Sequence, residues 1–142
     1  MNCELRYERL IHASPTRVFE LFTSAVGQRE FYGNDAPGWV VESRCELCVG
    51  GAWEITFGPS RGELYRHRHV FEAIERPHRL LLATTETRLD GSSFAFSTEF
   101  TFASRGRATL MTMVQSRFPS DELREEHGRG LAHAFDRLER AL

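Results

Sequence analysis

The chain has 142 residues, 41% of them apolar, and a formal net charge of −2, which suits one compact domain with a substantial core over residues 1–142. That balance carries no basic footprint for nucleic acid and no disordered-chain signature, and no apolar run approaches the ~18 residues of a membrane span. The opening "MNCELRYERL" has no signal-peptide core, so the expected location is cytoplasmic.

Residues Glu4 to Ile11 alternate polar and apolar, as a strand does. "ASPTRVFELFTSA" then starts a helix, with Ser14 as cap, Pro15 at the first helical position and Val18, Phe22 and Ala25 on one face. "GQREFYG" predicts a second short helix ending at Gly33, and "NDAPG" a loop. Val40 to Val49 read as a strand. Gly50 and Gly51 mark a tight turn or bulge. In "AWEITF", Trp53, Ile55 and Phe57 share a face; "GPSRG" follows as loop. Leu64 to Ile74 form a longer strand that Pro77 stops, because proline cannot donate to a ladder. Leu80 to Thr87 form the next strand and "LDGSS" the turn after it. Phe94, Phe96, Phe100 and Phe102 then alternate with small and polar residues, "SRGR" turns, and Ala108 to Ser116 make the last strand.

From Ser120 the period changes to that of a helix. Leu123, His127, Leu131, Ala134, Leu138 and Leu142 recur along one long amphipathic stretch, with Asp121 and Glu122 in its first turn. Gly128 and Gly130 weaken its middle, which points to close packing there. The order of elements predicts an α+β domain: a curved antiparallel sheet wrapped on the last helix, with room for a cavity between them.

The chemistry-bearing residues narrow the choices. All eighteen basic residues are arginine, which removes lysine Schiff-base catalysis. "CELC" has the spacing of redox and zinc sites, but it reads as strand, with Cys45 and Cys48 on opposite faces. A zinc ribbon would need a second pair. No phosphate loop and no nucleophile elbow is present. His12, His78, His127 and His133 are scattered and read as surface or helix-face residues. On the strand "ELYRHRHVFEA", period two puts Tyr65, His67, His69, Phe71 and Ala73 on one face and Arg66, Arg68, Val70, Glu72 and Ile74 on the other. The histidine face is expected inward. A one-residue bulge would reverse part of that assignment. The two histidines read as polar lining of a pocket, as structural histidines, or as two ligands of a metal whose third ligand has no recognisable spacing.

"ASPTRVFELFTS", "EFYG", "LCVGGAWEI", "VFEAIERPHRLL", "TEFTF" and "SRFPSDELREEHGRG", followed by the closing helix, run in a familiar order. The chain resembles the START-like (SRPBCC) superfamily with the Bet v 1 helix-grip fold. Within it, it is similar to the branch of the C-terminal domain of the heat-shock-protein-90 ATPase activator. The resemblance covers almost the whole chain. It implies a seven-stranded antiparallel sheet gripping a long C-terminal helix, two short helices after the first strand, and a cavity for an apolar ligand. This chain departs from the branch at Phe31-Tyr32-Gly33 and at Leu131, where tryptophans are often found. The fold hosts binders, cyclases and co-chaperone domains, so it implies no single activity.

Three functions follow as expectations. The first is binding of a small hydrophobic molecule, aromatic, polyketide or lipid-like, with no cofactor and no metal. Its expected lining is Phe22, Phe31, Tyr32, Trp53, Phe57, Tyr65, His67, His69, Phe71, Phe94, Phe96, Met111 and Met113, with Gln115 as a hydrogen-bonding group. The second is a stress-response co-chaperone domain with a chaperone partner. The third is a polyketide cyclase or dehydratase with the histidines as acid and base. No acid–base pair stands at a recognisable spacing, so binding without catalysis is the preferred reading, by a monomer or homodimer.

Overall fold

The computed structural model describes residues 4–32, 40–60 and 63–142. Strand β1 (Leu5–Ile11) is followed by helices α1 (Pro15–Phe22) and α2 (Ala25–Tyr32). Six strands come next: β2 (Val40–Cys45), β3 (Ala52–Ser60), β4 (Glu63–Glu75), β5 (Arg79–Thr87), β6 (Ser93–Arg105) and β7 (Ala108–Ser116). Helices α3 (Asp121–Arg129) and α4 (Leu131–Arg140) close the chain. The strands form one antiparallel sheet in the order β1-β7-β6-β5-β4-β3-β2. The first strand thus pairs with the last.

Local signals explain the elements. The Ser14 hydroxyl accepts the Arg17 N–H at 3.3 Å and Pro15 opens α1, as a capped helix requires. Ser120 caps α3 in the same way, accepting the Leu123 N–H at 3.2 Å. In β7, Thr109, Met111, Met113 and Gln115 are buried and alternate with half-buried residues, the period-two signature of a sheet with one covered face. The helices cover that face. Phe22 of α1 packs on Phe100 and Phe102 of β6, and Phe135 of α4 meets Tyr7, Phe22 and Phe31.

Three expectations are refined or corrected, and the first of them, the long C-terminal helix, is present but bent. The C-terminal stretch bends into two helices at Gly130, which caps the first and opens the second. Gly128 allows close packing, since a Cβ there would stand 3.3 Å from Leu5 Cδ1. The strand expected to run to Val49 ends at Cys45, so Cys45 and Cys48 do not share a strand. The intervening backbone folds into a turn, with Cys48 N–H to Glu46 O at 3.0 Å and Gly51 N–H to Cys48 O at 2.8 Å. Both are free thiols, Cys45 half-buried and Cys48 exposed.

The third correction matters most for the site. The β4–β5 register shifts between Phe71 and Ala73, leaving Glu72 as the extra residue of a bulge. Before the bulge, His67, His69 and Phe71 point inward; after it, Ile74 packs toward the core and Ala73 leaves the histidine face. The expected loop "NDAPG" and the end of α2 at Gly33 lie outside the described residues, as do Arg61 and Gly62 of "GPSRG".

Candidate functional site

Between the concave face of the sheet and the helices lies a cavity of about 450 Å³. Much of its lining is aromatic: Phe31 and Tyr32 from α2, Trp53 and Phe57 from β3, Tyr65 from β4 and Phe100 from β6. Met113, Leu131 and Ala134 add aliphatic surface. Polar residues are interleaved with them, namely His67, His69, Glu86, Thr98, Gln115, Glu126, His127 and Arg137, and the His69 ring lies 4.4 Å from Trp53 and the His67 ring 5.1 Å from Phe57.

Apart from Arg137, which donates to the Glu30 and Phe31 carbonyls, the polar residues form one connected system. Tyr32 Oη stands 2.7 Å from His67 Nδ1 and 2.9 Å from His69 Nε2. His67 Nε2 lies 2.5 Å from Glu86 Oε1, and His69 Nδ1 lies 2.8 Å from Thr84 Oγ1. Thr84 Oγ1 is 3.2 Å from Thr98 Oγ1, which accepts from Gln115 Nε2 at 3.4 Å. Antiparallel register produces these pairs, because His67 stands directly opposite Glu86 and His69 opposite Thr84.

Proton positions follow from the partners. The Glu86 carboxylate can only accept, so His67 Nε2 carries the proton and Nδ1 accepts from the Tyr32 hydroxyl. Tyr32 then accepts from His69 Nε2–H, and His69 Nδ1 accepts from Thr84. The donors point one way, from Gln115 to Glu86. Burial, at 6% exposure for His67 and 3% for His69, fits this neutral pair. It pushes the His67 pKa down, against the opposing pull of Glu86, and pushes His69 well down. The Tyr32 hydroxyl is pushed well up by burial and by the Glu86 charge.

Glu86 anchors the end of the chain. Burial works against its charge, but hydrogen bonds from His127 and His67 hold its carboxyl well below the usual carboxylate range. His127 Nε2 lies 3.2 Å from Glu86 Oε1, and Arg88 Nε donates to Glu86 Oε2 at 2.8 Å. Arg88 in turn reaches Glu126 at 2.8 Å. Among the described residues, two buried side-chain atoms have no hydrogen-bond partner, Trp53 Nε1 and Gln115 Oε1. Both belong to residues of the cavity wall.

Of the residues expected from sequence, Phe31, Tyr32, Trp53, Phe57, Tyr65, His67, His69, Met113 and Gln115 meet at this cavity. Phe22, Phe71 and Met111 do not line it; they are fully buried in the core beside it. Phe94 and Phe96 are also absent from its lining and instead stand around His127, with ring centroids 5.9 and 5.0 Å away. His127, read as a surface or helix-face residue, does stand on a helix face, but half-buried, and it stacks 5.9 Å from His67 at an interplanar angle of 6°. Glu86, Thr98, Glu126 and Arg137 also line the cavity and were not expected from the sequence. One signal was available for Glu86. Leu80, Leu82, Thr84 and Glu86 alternate along β5 and are all buried.

The model of the family described as "Activator of Hsp90 ATPase homolog 1-like protein" matches residues 12–142. No curated protein matches the chain. Solved structures with the same fold include the Mll3558 protein from Rhizobium loti, 24% identical, with 95% of each chain covered and a TM-score of 0.76. A protein from Rhizobium leguminosarum is 17% identical, with 98% of this chain and 93% of that one covered and a TM-score of 0.81. The protein CV1439 from Chromobacterium violaceum is 20% identical, with 98% and 96% covered and a TM-score of 0.80. At these identities the likeness is one of fold.

Proposed function

We propose, for a chain that belongs to the Activator of Hsp90 ATPase homolog 1-like family, that it binds a small apolar, oxygen-bearing molecule in the cavity between sheet and helices. The observation that carries this reading is a cavity whose aromatic lining is interleaved with one hydrogen-bonded row of polar groups. A volume of about 450 Å³ falls within the range of small-molecule sites. Aromatic rings supply area for a planar or chain-like ligand, and a few polar groups fix its pose.

The unpartnered atoms support the same reading. A buried polar atom left without a partner costs ~1–3 kcal/mol. Trp53 Nε1 offers a donor and Gln115 Oε1 an acceptor. A ligand bearing both a carbonyl and a hydroxyl could satisfy both after small side-chain adjustments. A pure hydrocarbon would satisfy neither.

The test is thermal unfolding with a panel of hydroxylated flavones, medium-chain fatty acids and matched hydrocarbons. Ligand bound only to the native state stabilises it by about 2.7 kcal/mol at a hundredfold excess over Kd. That corresponds to a midpoint rise on the order of 5–10 °C for a domain of this size. Oxygen-bearing aromatics should give the largest rise. A midpoint that stays flat across the whole panel would overturn the reading.

A further inference from the structure

We propose that His67, Glu86 and His127 form a site for a zinc-class divalent transition-metal ion at the edge of the cavity. The three residues come from three elements, β4, β5 and α3, yet each offers a ligand atom within 4.8 Å of the others. Both imidazoles aim Nε2 at the same carboxylate oxygen, Glu86 Oε1. Two histidines and one carboxylate are a recurrent set for catalytic zinc, with a fourth position left open.

The spacing needs little change. Ligand bonds of 2.0–2.1 Å in a tetrahedral site put donor atoms ~3.3 Å apart. His127 Nε2 and Glu86 Oε1 already stand 3.2 Å apart. His67 Nε2 and Glu86 Oε1, at 2.5 Å, would separate by roughly 1 Å as a metal replaced the shared proton. His127 stands on α3, none of whose residues is fully buried, so this helix can follow a small adjustment at low cost.

Supporting groups are present around the ligands. A metal-bound imidazole donates its other N–H to an acceptor that fixes the ring. Tyr32 Oη, 2.7 Å from His67 Nδ1, is that acceptor once the metal takes Nε2. The hydrogen-bonded chain can then run in reverse. His67 Nδ1–H donates to Tyr32, Tyr32 to His69 Nε2, His69 Nδ1–H to Thr84, and Thr84 to Thr98. Each imidazole keeps one proton and each hydroxyl keeps one, so the proton count along the chain is unchanged. If the Gln115 amide turns, Thr98 donates to Oε1, the atom that is otherwise unpartnered. Glu86 Oε2 is already held by Arg88, whose charge Glu126 offsets. All three ligands line the cavity, so the open position would meet an oxygen of whatever occupies it. The proposal rests on the cluster and does not depend on the ligand reading.

The experiment is titration of chelator-treated protein with Co²⁺, read by visible absorption, followed by competition with Zn²⁺. One equivalent of Co²⁺ should bind with a d–d band, and Zn²⁺ should displace it. His127→Ala should weaken binding by more than the ~10–100-fold expected for loss of an outer partner. His133→Ala, on the exposed face of α4, should bind as the parent does. Circular dichroism shows whether each variant is folded, and Glu86→Gln serves as the second ligand variant. The Cys45–Cys48 pair is the competing site, so Cys48→Ser is included and should leave binding intact. Absence of stoichiometric binding by folded parent protein, unchanged binding in folded His127→Ala, or loss of binding in Cys48→Ser would each overturn the assignment.

Discussion

Tyr32 has one hydroxyl proton and stands between two imidazoles, so its partners must agree on tautomers for the site to be satisfied. The agreement is bought by keeping both histidines neutral, and this gives a pH signature. The folded pKa of His69 is lowered by burial, whereas in the unfolded chain it sits near the ordinary value of 6.5. Above that value neither state holds the extra proton. As pH falls through it, the unfolded chain gains a proton that the folded chain refuses, and stability is lost. His67 acts in the same direction. Glu86, held low in the fold, adds its loss further down, below the ordinary carboxylate range. The thermal midpoint should therefore be steady from pH 8 to 7 and fall between roughly 6.5 and 5. His69→Gln should show a shallower fall, and an equal slope in that variant would contradict a buried neutral His69. Period two was enough to put Tyr65, His67 and His69 on one face, but which way that face points does not follow from spacing. It could not supply Glu86 as their partner, because that depends on register. Without the bulge at Glu72, continuing the pairing of Glu75 with Arg79 would set His67 against Thr87 and turn Glu86 away. No residue in "HVFEAIE" announces that bulge.

At the scale of elements, Tyr32 is delivered by α2, and the position of α2 is set by Gly27. A Cβ at Gly27 would lie only 2.0 Å from the Leu21 carbonyl oxygen, a backbone atom that cannot rotate away. Gly27→Ala should force the two short helices apart. The expected cost is about 1–3 kcal/mol, the ordinary scale of overpacking. It should also disturb the Tyr32 contacts, which a shifted tyrosine fluorescence or ring NMR signal would report. Full stability in that variant would contradict the close approach of α1 and α2. The two helices themselves were legible from Ser14, Pro15 and the spacing of Val18 and Phe22, because capping and amphipathic period are local. The break at Gly130 was only half legible. Glycine weakens a helix wherever it sits, and whether the chain bends there depends on the surface beneath. The same holds for His127. Its helical spacing put it on the inner face with Leu123 and Leu131, but the carboxylate that meets it comes from β5.

For the whole molecule, the order of strands and helices was readable because each element carries its own period and its own stop signal. The count of seven antiparallel strands followed from the family resemblance, whereas room for a cavity was readable from the order of elements and implied again by the resemblance. The cavity's contents did not follow, because they are assembled by contacts between positions far apart in sequence, such as Tyr32 with His69 and Glu86 with His127. This assembled space, with aromatic rings and polar groups side by side, is proposed to receive a ligand. The most direct measurement is a crystal structure grown with whichever panel member raises the midpoint most. That compound should lie inside the cavity, its rings against Phe57 and Trp53 and an oxygen within hydrogen-bonding distance of Trp53 Nε1 or of the hydrogen-bonded row from His69 to Gln115. The compound seated on the outer face of the sheet, with the cavity holding only water, would contradict that proposal.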